Sequence, residues 1–251
     1  MNVIFWLPVG FFIIALLYSM VGLGGGSSYI AFLVLAGLPY QQIPLLALLC
    51  NIVVSGTAFW HFSRAGHLRI HKVLPFIAGS IPMAYLGATI RIEQHAFSFI
   101  LGSVLLVTAL RMMIPVQTDY RGGSISGLRI WIIGLPVGML LGLLAGLVGI
   151  GGGIFLGPIL ILLGWAHAKE AAAATSFVVL VNSVSGFLGQ LHKGGMESML
   201  IIPLVLSVLI AGQIGARLGA YRLSRIHIQR MIAVLLLTVS IKLLSQAMRH
   251  I

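Results

Sequence analysis

The chain has 251 residues, 59% of them hydrophobic and 8% charged, with a mean hydropathy of +1.11. So little polar surface excludes a soluble domain and points to an all-α polytopic membrane protein. Lys and Arg outnumber Asp and Glu by 15 to 4, but the bases fall between apolar segments with no aromatic-interleaved stripe. A positive-inside bias therefore explains them, and nucleic acid does not.

The first apolar segment, 3–20, lacks a basic leader and is expected to be a permanent span rather than a cleaved signal. It ends in the cluster Gly22-x-Gly24-Gly25-Gly26, followed by a short apolar segment at 29–38. Longer segments cover 43–62, 73–90 and 96–114, and a linker with Gly122-Gly123 and scattered polar residues spans 115–129. The order then recurs. A segment at 130–148 ends in Gly149-x-Gly151-Gly152-Gly153, a short segment covers 154–163, and longer ones lie at 171–191, 199–218 and 231–244. A full crossing takes about 20 residues, so each short segment is expected to be half of a broken helix or hairpin.

The halves align beyond the glycines. Ser55-Gly56 matches Ser185-Gly186, Arg64-Ala65-Gly66 matches Lys193-Gly194-Gly195, and Leu86-Gly87-Ala88 matches Ile214-Gly215-Ala216. One duplicated unit accounts for this better than chance. Charge placement orients it. Arg64, Arg69 and Lys72 mark the 63–72 loop as cytoplasmic, whereas its counterpart carries only Lys193. One loop later the bias reverses: Arg91 alone, against Arg217, Arg222, Arg225 and Arg230. The expected architecture is therefore two inverted repeats, 1–114 and 130–251, joined by a cytoplasmic linker. Each repeat has a glycine-broken hairpin plus three full spans, and both termini lie outside. Adding Arg111, Arg121, Arg129 and Lys169, eleven of the fifteen bases then lie inside.

Glycine runs are poor helix material. In a membrane, broken backbone is tolerated where protein buries it or where it lines a cavity, and matching breaks in two halves point to a transporter's site. A helix starting after such a turn presents unpaired N–H groups and a positive dipole end. Glycine also admits a ligand close to the backbone. Gly24, Gly25, Gly26 and Gly151, Gly152, Gly153 are thus expected to bind a small anion, with Ser27 and Ser28 adding hydroxyls after the first break. A second polar set follows each break: Asn51, Ser55 and Thr57, then Thr175, Ser176, Asn182, Ser183 and Ser185. Asn51 and Ser55 share one helix face, as do Asn182 and Ser185. These groups suit either a tetrahedral oxyanion or bonding between helices. The four-residue spacing of Gly134, Gly138, Gly142 and Gly146 reads as close helix packing instead.

Glu93, Asp119, Glu170, Glu197 and all eight histidines fall at segment ends or in loops, so no intramembrane proton relay is evident. His61 and His192 occupy corresponding places as interfacial residues or gates. Glu170 suits the start of the helix after it. Neither glycine cluster is a P-loop or a dinucleotide fingerprint, lone Cys50 makes no disulfide framework, and no catalytic constellation, metal or cofactor site stands out. The expected partners are a small anionic substrate and the lipid bilayer; association into a homo-oligomer is left open.

The duplicated break, reading Gly149-x-Gly151-Gly152-Gly153-x-x-x-x-Pro158-x-Leu160 in the second half, resembles the sulfite exporter family of the TauE/SafE type over nearly the whole chain. Ala31 replaces the proline in the first half, where Ser27-Ser28 follow the glycines. The resemblance implies transport, often export, of sulfite, sulfonates or similar anions across the bacterial inner membrane by a multi-pass protein. Another small solute on the same scaffold, and an assembly subunit without transport, are the alternatives.

Overall fold

The computed structural model describes residues 2–90, 93–113, 127–192 and 200–221, together with 237, 240–241 and 244–245. Within them the chain runs α1 (Asn2–Met20), α2 (Gly26–Leu35), α3 (Ile43–Arg64), α4 (Ile70–Thr89), α5 (Gln94–Met113), α6 (Gly127–Val148), α7 (Gly153–Leu162), α8 (Ala168–Leu191) and α9 (Ile201–Tyr221). No strand occurs among the described residues. Helices α3, α6, α8 and α9 are long and apolar enough to cross a membrane. Ile132, Leu140, Ile202 and Ile210 point outward from α6 and α9 and are exposed, so the surface is apolar where a soluble protein's would be charged. The chain is an integral membrane protein.

Both short segments are separate helices. Helix α6 includes 127–129; the rest of the expected linker, the arginines at 222–230, Lys193 and most of the segment 231–244 lie outside the described residues. The start of α8 at Ala168 has a local cause: the Glu170 carboxylate accepts from the His167 amide at 3.3 Å and pairs with Arg69 at 3.2 Å, satisfying the helix start. Lys72 Nζ donates to the Trp165 carbonyl at 2.6 Å, tying the start of α4 to the loop before α8.

Packing is decided by glycines that let backbones touch. Gly138, Gly142 and Gly146 of α6 lie on the Phe76, Ser80 and Ala84 carbonyls of α4. Both numbers rise together, so these helices run parallel. Gly215 on Leu16 and Gly219 on Met20 make α9 parallel to α1. Ser185 on the Ile81 carbonyl and Gly189 on that of Tyr85 do the same for α8 and α4. At the centre, Leu48 meets Gly186, Phe59 stacks on Phe177 at 4.6 Å, and Phe62 clusters with Ala172. There one number rises as the other falls, so α3 and α8 are antiparallel. Val54 against Gly212, and Arg64 beside Arg217, align α9 with α3. Helices α1, α3 and α9 therefore run one way and α4, α6 and α8 the other.

Candidate functional site

Each break is built on left-handed glycines, Gly22 and Gly25 in the first and Gly149, Gly151 and Gly152 in the second. Helix α1 closes with the Gly22 amide on Ser19 and the Leu23 amide on Tyr18, Gly22 standing at φ 74°, a conformation open to glycine and costly for other residues. Helix α6 closes at Gly149, φ 84°, whose amide reaches Ala145. The chain restarts at Gly25, φ 91°, and at Gly152, φ 75°. These two residues are the N-caps of α2 and α7, and neither has a side chain to cap the first turn. The leading amides of both helices thus keep their donors and the positive end of the dipole. The breaks also lean on each other's half: a Cβ at Gly22 would meet Ala172 of α8 at 2.6 Å, and one at Gly149 would meet Pro44 of α3 at 2.8 Å. Residues 21–31 and 148–153 are buried throughout.

Polar side chains fill the space between the two turns. Asn51 is fully buried on α3, and its Nδ2 donates to the Ile150 carbonyl inside the second break at 3.2 Å. That bond fixes the amide's orientation and places Oδ1 against Gly24, while Nδ2 occupies the space a side chain at Gly26 would need. Asn182 Nδ2 reaches the Gly151 carbonyl at 3.5 Å. Ser183 Oγ lies 3.0 Å from where a Cβ on Gly151 would sit, and Thr175 Oγ1 lies 3.1 Å from the same point on Gly157. Val179 approaches Gly24, Gly151 and Gly153, wedging α8 between the breaks. Thr175, Val179, Asn182 and Ser183 succeed one another at spacings of four, three and one, which places them along one face of α8.

Four groups of this set have no hydrogen-bond partner among the described residues: Asn51 Oδ1, Thr175 Oγ1, Asn182 Oδ1 and Ser183 Oγ. Tyr29 OH, beside Gly25, is a fifth. Each such group costs about 1–3 kcal/mol when left unsatisfied. Native interiors hold few of them, and these five gather around the paired breaks, while a further one among the described residues, Ser80 Oγ of α4, lies against α6. Chemically the space at the breaks offers amide and hydroxyl donors with two carbonyl acceptors and no charged side chain. Such a site can hold an anion by dipoles and still release it.

The structure divides the expected residues. Gly24, Gly25, Gly26, Gly151, Gly152, Gly153, Asn51, Thr175 and Asn182 meet here. Ser27 and Ser28 instead share the Tyr18 hydroxyl, at 3.2 and 2.7 Å. Ser55 turns back to the Asn51 carbonyl and Ser176 to that of Ala173, each spending its proton within its own helix. Ser185 donates across to the Ile81 carbonyl of α4 at 2.6 Å, which is the interhelical role. Tyr18, Tyr29, Val179 and the Ile150 carbonyl complete the surroundings. For Val179 the signal was its place on the polar face of α8; for the two tyrosines nothing in the sequence distinguished them from core aromatics. His61 lies 2.9 Å from Gln213 of α9, and His192 bonds the Leu188 carbonyl at 2.9 Å.

Comparison with known proteins shows what the chain resembles. The profile of the family described as "Sulfite exporter TauE/SafE" matches residues 7–243. The chain is similar to "Probable membrane transporter protein y4hK" of Sinorhizobium fredii, 31% identical over 95% of this chain and 97% of that one. It is also similar to "Probable membrane transporter protein YunE" of Bacillus subtilis, 23% identical over 80% of this chain and 83% of the other. No solved structure matches it.

Proposed function

The chain belongs to the sulfite exporter TauE/SafE family and is a membrane transporter; we propose that it exports small sulfur-containing anions, sulfite or a sulfonate, by alternating access between two inverted repeats. The observation that carries this reading is the pair of uncapped helix N-termini facing a buried ring of unpaired polar groups. The opposed directions of α1 and α6, α3 and α8, and α4 and α9 support the inverted insertion that the loop charges indicate. The substrate site consists of the two glycine turns with Asn51, Thr175, Asn182 and Ser183. Its occupant is held by backbone dipoles, as anions are at other helix N-termini.

The direction follows from electrostatics. Each negative charge leaving a cell that is negative inside gains roughly 2.3 kcal/mol per 100 mV, equivalent to about a fiftyfold gradient. Export of anions therefore needs no coupling ion, in keeping with a sequence whose acidic residues fall between apolar segments or at their ends, and the bacterial inner membrane is the setting in which such a gradient exists. Counterflow in proteoliposomes, with voltage clamped and pH matched, tests this. The expected result is sulfite or sulfonate exchange without any ion gradient, accelerated when the receiving side is made positive. Movement that strictly requires a proton or sodium gradient overturns uncoupled export, and absence of movement for all these anions overturns the substrate class.

A further inference from the structure

The unpaired groups at the breaks are of two kinds. The leading amides of α2 and α7 and the hydroxyls of Thr175 and Ser183 can donate to an anion's oxygens. Asn51 Oδ1 and Asn182 Oδ1 can only accept, and neither has a partner among the described residues. Both side chains are fully buried, and both amide nitrogens are committed to carbonyls of the second break, Ile150 and Gly151. Turning either amide over would set its oxygen against another carbonyl oxygen. Thr175 and Ser183 do not donate to them either, since both hydroxyls are themselves unpaired.

A carbonyl oxygen repels the oxygen of an anion unless a hydrogen stands between them. A donor-free anion would satisfy the amides and hydroxyls, leave both asparagine oxygens unpaired and bring negative charge up to them. We propose that the site selects anions carrying an O–H or N–H beside the charge: hydrogen sulfite over the sulfite dianion, and amino- or hydroxysulfonates over plain alkylsulfonates. This rests on the reading of the breaks as the anion site and adds to it the ligand's protonation state. The sulfonyl oxygens answer the donors of the helix starts, and the ligand's own hydrogen answers Asn51 or Asn182. A monoanion also loses less hydration on entering so buried a site than a dianion does.

Sulfamate and methanesulfonate test this directly, having the same charge and nearly the same shape but an amino group against a methyl. Binding to the purified full-length protein is measured by calorimetry and thermal shift. Sulfamate is expected to bind tighter by about tenfold or more, because a site with buried polar groups rejects the analogue that cannot pair them. Sulfite binding should weaken as pH rises through the ionisation of hydrogen sulfite, while methanesulfonate binding stays flat across the same range. Asn182→Leu should lower the sulfamate-to-methanesulfonate ratio, and Asn51→Leu combined with it should bring the ratio close to one; Thr175→Val should weaken both and keep the ratio. Should Asn182→Leu fail to insert, the wild-type ratio and the pH profile decide on their own. Equal affinities for the two anions, with a pH-independent sulfite response, overturn the donor requirement and leave the anion site standing. If sulfamate, methanesulfonate and sulfite neither bind nor move in proteoliposomes, the reading of the site falls with it.

Discussion

Thr175 and Ser185 look alike in the sequence, as small hydroxyls on one apolar helix, yet their surroundings assign them opposite parts. Thr175 Oγ1 is buried without a partner, so Thr175→Val removes a polar group that costs stability and keeps the shape. The melting temperature is expected to hold or rise, while anion flux falls about tenfold, the loss of one hydrogen bond to a charged ligand. Ser185 bonds the Ile81 carbonyl of α4. Ser185→Ala should therefore lower the melting temperature, by the equivalent of about 0.6–2 kcal/mol typical of interhelical bonds in membranes. A Thr175→Val protein that melts earlier and transports normally would show that its hydroxyl is structural. Sequence spacing puts both residues near the breaks, but cannot say which way a hydroxyl turns. A Ser or Thr within a helix can always bond back one turn, as Ser55 and Ser176 do, and that competition is settled by rotamer and neighbours. For the same reason Ser27 and Ser28 were legible as polar groups after a break but not as partners of Tyr18.

The breaks themselves were legible because consecutive glycines serve no purpose inside a continuous apolar span. Helices α2 and α7 start at the last glycine of each cluster, since the glycine before it is left-handed and ends the preceding turn. Side chains in that conformation cost about 1–2 kcal/mol. Gly37 provides a matched comparison: it stands at φ 76° with nothing within 4 Å of its Cβ position, whereas a Cβ at Gly25 meets the Tyr29 ring at 2.9 Å. Gly37→Ala is expected to lower stability by the backbone strain alone and to keep transport. Gly25→Ala adds a clash at the N-cap of α2 and should lose most of the flux in protein that still inserts. Flux and melting temperature measured on the same preparations separate the two. If both variants lose flux in step with stability, the break is a packing device and not a binding one. The boundaries of α2 differ from the hydropathic estimate by about a turn, because apolarity begins at Tyr29 while the backbone begins its helix at Gly26.

At the scale of the whole molecule, the two halves of the sequence are not the units that pack. Helix α9 of the second half lies along α1 and α3, and α4 of the first lies along α6 and α8. Each bundle thus contains parts of both halves. Which helix pairs with which was invisible in the sequence, because the glycines that decide it are equally good against any backbone. Within each bundle those glycines set helix against helix with no side chain between, as Gly142 on Ser80 and Gly219 on Met20 show, so each should move as one body. Between the bundles the contact runs along antiparallel α3 and α8, through small residues and the Phe59–Phe177 stack. Of the side-chain hydrogen bonds described above, the one from Asn51 to the Ile150 carbonyl crosses this seam, and it does so at the candidate site. Rocking about the seam would therefore part the two breaks and break that bond, coupling access to occupancy. Cysteines at Phe59 and Phe177, in a Cys50→Ala background, test the motion, since the rings they replace lie 4.6 Å apart across the seam. A short bis-methanethiosulfonate cross-linker, which joins the thiols through disulfides, should stop anion flux in the double variant, reducing agent should restore it, and neither single variant should respond. Full flux through the cross-linked protein would mean that the bundles stay together during transport and that the glycine turns alone open and close the path.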